Sequence, residues 1–142
     1  MYSIGELARR TGVKVPTIRY YEQTGLIDPP ERTGGNQRRY RKTDLDRLAF
    51  IRHARDLGFS IEAVRDLTRL ARHPGEACAE ADRIARDHLA DTRRRIEALK
   101  RLETELARIA GLCDAGRTVS ECRVLEALGD HHQCLDEHPR AE

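Results

Sequence analysis

Tryptophan is absent from this 142-residue chain, phenylalanine occurs twice and methionine once, so the bulky side chains that fill a large globular core are scarce. Long apolar runs are missing too: no stretch approaches the ~20 residues that a membrane-spanning helix needs. The first residues, Met1-Tyr2-Ser3-Ile4-Gly5-Glu6, have neither the basic start nor the apolar stretch of a secretion signal. The expectation is a cytoplasmic protein with no membrane partner. Cysteine is withheld from the N-terminal half, and all four (Cys78, Cys113, Cys122, Cys134) fall in the second. In a reducing cytosol such a cluster reads first as metal-binding or redox-sensing rather than as disulfides. No nucleophile–base pair, phosphate loop or catalytic zinc motif occurs, which argues against an enzyme.

Charge is abundant. Charged residues make up 35% of the chain and hydrophobic ones 39%, a composition suited to amphipathic helices that gain burial by pairing. The net charge of +2 hides an asymmetry: residues 1–72 hold fifteen Lys/Arg against nine Asp/Glu, and residues 73–142 hold eleven against fifteen. A basic N-terminal half joined to an acidic C-terminal half suggests a nucleic-acid face coupled to something else.

Ser3-Ile4-Gly5-Glu6 has the form of a capping box opening a helix from Ile4 to Arg10, with Ile4, Leu7 and Ala8 inward. Thr11-Gly12-Val13 is a turn, Pro16 suits the first turn of a second helix, and Gly25 stops it. Two short helices around a Gly-containing turn are a helix-turn-helix signature, the second helix being the one that enters the major groove. Asp28-Pro29-Pro30 and Thr33-Gly34-Gly35-Asn36 break the chain. Leu26-Ile27 and Gln37-Arg38-Arg39-Tyr40 are expected to pair as a small wing. Thr43 is expected to cap a helix from Asp44 to Leu57 with Leu45, Leu48, Ala49 and Ile51 as its core stripe. Ser60 caps another, Ile61 to Ala71, with Ile61, Val64, Leu67 and Leu70 at helical spacing. From Glu76 to Ala110 there is neither Gly nor Pro, and Ile84, Leu89, Ile96, Leu99, Leu102, Leu106 and Ile109 recur mostly at three- and four-residue spacing. That is a coiled-coil seam with too little N-terminal domain to cover it, so the expectation is a dimer.

With these residues in place the chain resembles the MerR family of metal-responsive activators over nearly its whole length, from Ile4 to about Leu128. The matching motifs are Ile4-Gly5-Glu6-Leu7-Ala8, Thr17-Ile18-Arg19-Tyr20-Tyr21-Glu22, Gly25-Leu26, Asn36-Gln37-Arg38-Arg39-Tyr40, and Arg52 through Leu57-Gly58-Phe59-Ser60. The wording is closest to the lead-, cadmium- and zinc-responsive branch. The resemblance implies a mainly α fold: a winged helix-turn-helix DNA-binding domain (1–72), a long antiparallel coiled-coil dimerisation helix (76–110), a metal-binding loop with a short helix (111–128), and a His/Cys-containing tail (129–142). It also implies a homodimer on palindromic double-stranded promoter DNA. When the effector binds, that dimer distorts the DNA so that RNA polymerase can read a promoter whose spacer is too long.

Arg19 and Tyr20 are then the groove-facing pair, since an Arg can grip a guanine edge bidentately. Adjacent helical residues lie about 100° apart, so Tyr20 and Tyr21 cannot both face DNA, and the resemblance favours Tyr20 outward. Arg38, Arg39 and Tyr40 on the wing are expected on phosphates, with Arg55 as a further backbone contact. Arg9, Arg32 and Arg41 read equally well as solvated charge.

Cys113 and Cys122 enclose an eight-residue polar loop, and Cys78 stands thirty-five residues before Cys113. Along one helix that is about 50 Å at about 1.5 Å per residue, while metal–thiolate bonds are about 2.3 Å. One chain cannot bring both thiols to one ion; an antiparallel dimer can. The resemblance implies the same set, with Cys78 donated across the dimer to the partner's Cys113 and Cys122. Three thiolates select a soft divalent ion (Pb, Cd, Zn or Hg) as effector. The presence of Cys78 and the loop length depart from the family's copper sensors. Zinc would want a fourth ligand, for which His88, Asp114 or water are candidates. Asp130-His131-His132-Gln133-Cys134, with His138, forms a second metal-like cluster, and reads first as an unstructured tail that scavenges metal without controlling anything. The alternative is a thiol redox-sensing regulator of the same fold, through Cys113–Cys122.

Overall fold

A computed structural model describes residues 1–32, 34–35, 37–112, 116 and 118–130, the side chain of Arg38 excepted. The fold is mainly α, as expected: α1 (Ile4–Thr11), α2 (Val15–Gln23), β1 (Glu31–Arg32), β2 (Arg38–Arg39), α3 (Lys42–Asp56), α4 (Ile61–Ala71), α5 (Ala79–Ala110), a 3₁₀ turn (Val119–Glu121) and α6 (Arg123–Gly129). Two compact units result, Met1–Ile84 and the chain from Ala85 onward.

Local signals explain most of the boundaries in the first unit. The Ser3 hydroxyl accepts from the Glu6 amide (3.2 Å), and Gly12 ends α1 at φ 72°. That glycine has a second reason to lack a side chain: a Cβ there would lie 2.1 Å from Arg52 Nη1, which donates to the carbonyl of Thr11 (2.9 Å). Arg52 thus caps α1 from α3, a role the sequence did not suggest. Ser60 accepts from the Ala63 amide (3.1 Å) and opens α4 at the expected residue.

Expectations around the wing require correction. The helix after the wing begins at Lys42, not after Thr43, because the Asp44 carboxylate accepts the Arg41 amide (2.8 Å) and fixes the start one turn ahead of itself. The wing hairpin does not use Leu26-Ile27. Glu31 pairs with Arg39 and Arg32 with Arg38, antiparallel. Pro29 and Pro30 lack the N–H that a ladder needs, so pairing starts beyond them. Leu26 and Ile27 turn inward instead, their amides donating to the Tyr21 carbonyl at 2.9 and 3.3 Å.

The core gathers Leu7, Val13, Ile18, Tyr21, Leu26, Ile27, Tyr40, Leu48, Ile51, Ala54 and Val64. Burying each of the large aliphatic side chains is worth about 1.5–3 kcal/mol. On α3 the buried face runs through Leu48, Ile51 and Ala54, and Ala49 is exposed rather than part of the stripe. On α4 it runs through Val64 and Thr68, whose hydroxyl is satisfied by the Val64 carbonyl (2.7 Å), while Leu67 and Leu70 are half-buried.

α5 begins at Ala79 because His73-Pro74-Gly75 continues as a turn through Glu76, whose amide donates to the His73 carbonyl (3.0 Å). Glu80 in its first turn pairs with Arg69 of α4 (3.1 Å). At 32 residues the helix is about 48 Å long. Leu89, Ile96, Leu99 and Leu106, spaced by seven, three and seven residues, are all exposed on it. In the second unit Ile109 and Ala127 are buried, and the Glu105 carboxylate, also buried, pairs with Arg108 (2.5 Å). Among the described residues, no helix is long and apolar enough to cross a membrane.

Candidate functional site

The residues expected to read DNA begin on α2. Its buried face is Ile18 and Tyr21, so the intervening Arg19 and Tyr20 point outward, as the 100° step requires. Tyr20 is 52% exposed and Tyr21 8%, and their rings lie 6.1 Å apart and tilted. Arg19 is exposed and makes no hydrogen bond or ion pair among the described residues, which leaves its whole guanidinium fork for an outside partner.

On the wing, Arg39 is half-buried on β2. Arg38 lies on the same strand, but its side chain falls outside the described set. Arg41 is exposed and ion-paired to Glu31 across the hairpin, so its charge is partly spent. Arg55 is exposed on α3 and donates to the Phe59 carbonyl (2.6 Å) across the α3–α4 turn, with its remaining N–H groups directed by that anchor.

Tyr40 is a correction. The sequence reading puts it on a DNA phosphate with Arg38 and Arg39, but its side chain is fully buried in the core and its hydroxyl donates to Glu22 of α2. Side chains alternate along a strand, and Tyr40 takes the inward position next to Arg39. No part of it is available to DNA.

Several contacts that tie these elements together carry no sequence motif. Asp28, just after the α2 turn, accepts from Arg47 of α3 (3.0 Å) and Arg72 at the end of α4 (3.4 Å). The hydrogen bond from Arg47, with Arg72 beside it, holds its carboxyl below the usual carboxylate range. Arg65 donates to the Thr24 carbonyl at the end of α2 (2.8 Å). Arg10 stacks its guanidinium 5.0 Å from the Tyr2 ring centre. An Asp ahead of two prolines gives no such signal by itself; only the three-dimensional return of α3 and α4 creates it.

Of the expected metal ligands, Cys78 is exposed immediately before α5, its carbonyl accepting the Asp82 amide (2.9 Å). Cys122 stands at the start of α6, half-buried, its amide bonded to the Val119 carbonyl (3.1 Å) and its carbonyl to the Glu126 amide (3.2 Å). Cys113 and Asp114 lie outside the described residues, as do His131, His132, Cys134 and His138. His88 is half-buried on α5. Among the described residues of one chain, no three His, Cys, Asp or Glu side chains converge to hold a metal ion.

An outward Arg-Tyr pair on the second of two short helices, flanked by a basic two-stranded wing, defines a winged helix-turn-helix DNA-reading module. Comparison with known proteins narrows the class. Residues 2–70 match the family description "MerR HTH family regulatory protein", and residues 45–109 match "MerR, DNA binding". The chain belongs to the MerR family of helix-turn-helix transcription regulators. It is 40% identical over 130 residues to the HTH-type transcriptional regulator ZntR of Escherichia coli (strain K12), covering 90% of this chain and 92% of that one. It is 38% identical over 128 residues to "Heavy metal-dependent transcription regulator 2" of Rhizobium meliloti (strain 1021), covering 90% and 86%. The solved structure of the transcription regulator PbrR691 from Ralstonia metallidurans CH34 in complex with lead(II) superposes with a TM-score of 0.80 at 37% identity, covering 90% of this chain and 99% of that one. These relatives are regulators rather than enzymes, and they fall in the metal-responsive branch.

Proposed function

We propose that the chain is a homodimeric, metal-switched activator in which each effector ion is held by Cys78 of one protomer and by the partner's Cys113 and Cys122. The observation that carries this reading is the placement of Cys78 and Cys122 beyond opposite ends of the 32-residue α5. Two such helices running antiparallel through the exposed Leu89-Ile96-Leu99-Leu106 stripe bring the start of one against the end of the other. The donor chemistry fits a soft cation. Three thiolates carry −3, a divalent ion leaves −1, and sulfur selects Pb, Cd, Zn or Hg over Mg, Ca or Mn. Arg19 and Tyr20 read the major groove of promoter DNA, and Arg38, Arg39 and Arg55 fix the register on its phosphates. The metal-loaded dimer distorts the promoter so that RNA polymerase can initiate.

The test is a competition titration of the reduced dimer with Zn, Cd, Pb and Hg, read by the ultraviolet thiolate-to-metal band, alongside promoter transcription with RNA polymerase. One ion per protomer, with transcription rising in step, is the expected result. Transcription that follows an oxidant and ignores all four metals would transfer the cysteines to thiol redox sensing.

A further inference from the structure

Tyr40 and Glu22 belong to the motifs that identify the family, yet Tyr40 is fully buried and Glu22 turns a carboxylate oxygen to its hydroxyl. Glu22 stands on the last turn of α2, three residues beyond Arg19 and so on a neighbouring helical row. Tyr40 immediately follows Arg39 and closes the wing. Its backbone is pinned on one side: the Tyr2 amide donates to the Tyr40 carbonyl (2.7 Å), and the Tyr40 amide donates to the Tyr2 carbonyl (2.8 Å). Its ring is fully buried, and its hydroxyl donates to the Glu22 carboxylate.

Packing alone does not call for this arrangement. A phenylalanine would fill the same volume without taking a hydroxyl and part of a carboxylate out of water, a cost incurred whenever polar atoms are buried. What the polar pair adds is direction. A hydrogen bond to an ionised acceptor is shorter and stronger than a neutral one and fixes both distance and angle, whereas apolar surfaces slide at little cost. Here the bond joins the helix that carries Arg19 to the strand that carries Arg39. The two-residue strands of the wing are too short to hold an orientation by themselves.

We propose that the Tyr40–Glu22 bond is a positioning latch that sets the wing against the recognition helix, so that Arg19 in the groove and Arg39 on the phosphate engage together. Neither residue touches DNA; each acts through the arginine beside it. The inference rests on Arg39 binding a phosphate, and the test separates the two.

The experiment uses the full-length dimer and promoter DNA, with affinity measured across a salt series. Arg39→Ala checks the wing's grip: with one phosphate fewer neutralised by each protomer, the slope of log K against log salt should flatten by about 1.8, at about 0.9 per phosphate. Tyr40→Phe keeps the packing and removes only the donor. It is expected to weaken promoter binding roughly tenfold and to flatten the same slope towards the Arg39→Ala value. Combined with Arg39→Ala it should cost little more, since both changes abolish the same phosphate interaction and coupled sites are not additive. Glu22→Leu should weaken binding and flatten the slope at least as much as Tyr40→Phe, and Glu22→Gln, which keeps a carbonyl acceptor, should fall between wild type and Glu22→Leu. A lowered melting temperature with wild-type affinity and slope in Tyr40→Phe would make the hydroxyl merely structural and overturn the latch. Full additivity with Arg39→Ala would overturn it as well. An unchanged slope in Arg39→Ala would remove the wing's phosphate interaction itself, leaving the latch nothing to position.

Discussion

A guanidinium can read a guanine edge only if the protein has not already spent its fork. The N-terminal half carries fifteen cationic side chains, and several of them are bound inward: Arg52 to Thr11 and Asp56, Arg65 to Thr24, Arg47 and Arg72 to Asp28. Arg19 is not among them. Arg19→Ala is expected to cost about 1–3 kcal/mol on the promoter and to relax base discrimination; equal weakening on promoter and random DNA would move Arg19 to a phosphate. Asp28 makes a different prediction. Its pKa is held below 3.8 by the Arg47 hydrogen bond and Arg72, so its contribution to stability is present above that value and fades as pH falls through the depressed one. The carboxylate is more than half exposed, so solvent screens much of the effect. The melting temperature of wild type should exceed that of Asp28→Asn at neutral pH, with the gap closing below about pH 4. A gap independent of pH would mean that charge is not its source. At this scale the sequence made the opposed Tyr20 and Tyr21 legible, because one helical step keeps them from sharing a face and the resemblance set Tyr20 outward. It misplaced Tyr40, because adjacency to Arg38 and Arg39 outweighed the strand alternation that turns it inward.

Helices were legible where a short-range signal closes on itself. Ser60 with the Ala63 amide, and Gly12 with its left-handed φ, lie within one turn of what they terminate. The wing was not, because its register depends on which side of Pro29-Pro30 the chain first has free amides to pair. The stripe of α5 was legible as a period; the single chain buries Ile84 and Ile109 near its ends and leaves Leu89, Ile96, Leu99 and Leu106 uncovered, Leu99 60% exposed and Leu106 62%. A carboxylate at such a position would be taken out of water by a second helix without a partner. Leu99→Asp is therefore expected to give monomers that bind palindromic DNA poorly, since each buried leucine lost forfeits about 1.5–3 kcal/mol and the charge adds its own desolvation. Sedimentation velocity decides it, and a stable dimer would place the association surface elsewhere than on this stripe.

For the whole molecule the question is whether a metal site belongs to one chain or to two. Cys78 precedes α5 and Cys122 follows it, and the helix between them is about 48 Å long. A metal–thiolate bond is about 2.3 Å, far shorter than a helix of that length. The sequence allowed this deduction because helix length is a count, whereas it could not rank the metals, which share the same donor atoms. Cys78→Ser and Cys113→Ser homodimers should each bind the promoter and fail to respond to metal, because every site in them lacks a thiolate. A heterodimer of one with the other behaves differently. The protomer mutated at Cys113 still supplies Cys78 to the intact Cys113 and Cys122 of its partner, so one site has all three ligands and the other has lost two. Differently tagged protomers, purified as the mixed species, should bind one lead or cadmium ion per dimer against two for wild type. Cys134→Ser should leave the response intact, since the tail stands outside the three-thiolate set. Retention of two ions in the mixed dimer would make at least one of these cysteines dispensable. Binding of none would return the cysteines to separate sites within each chain, and the antiparallel arrangement would then rest on the α5 stripe alone.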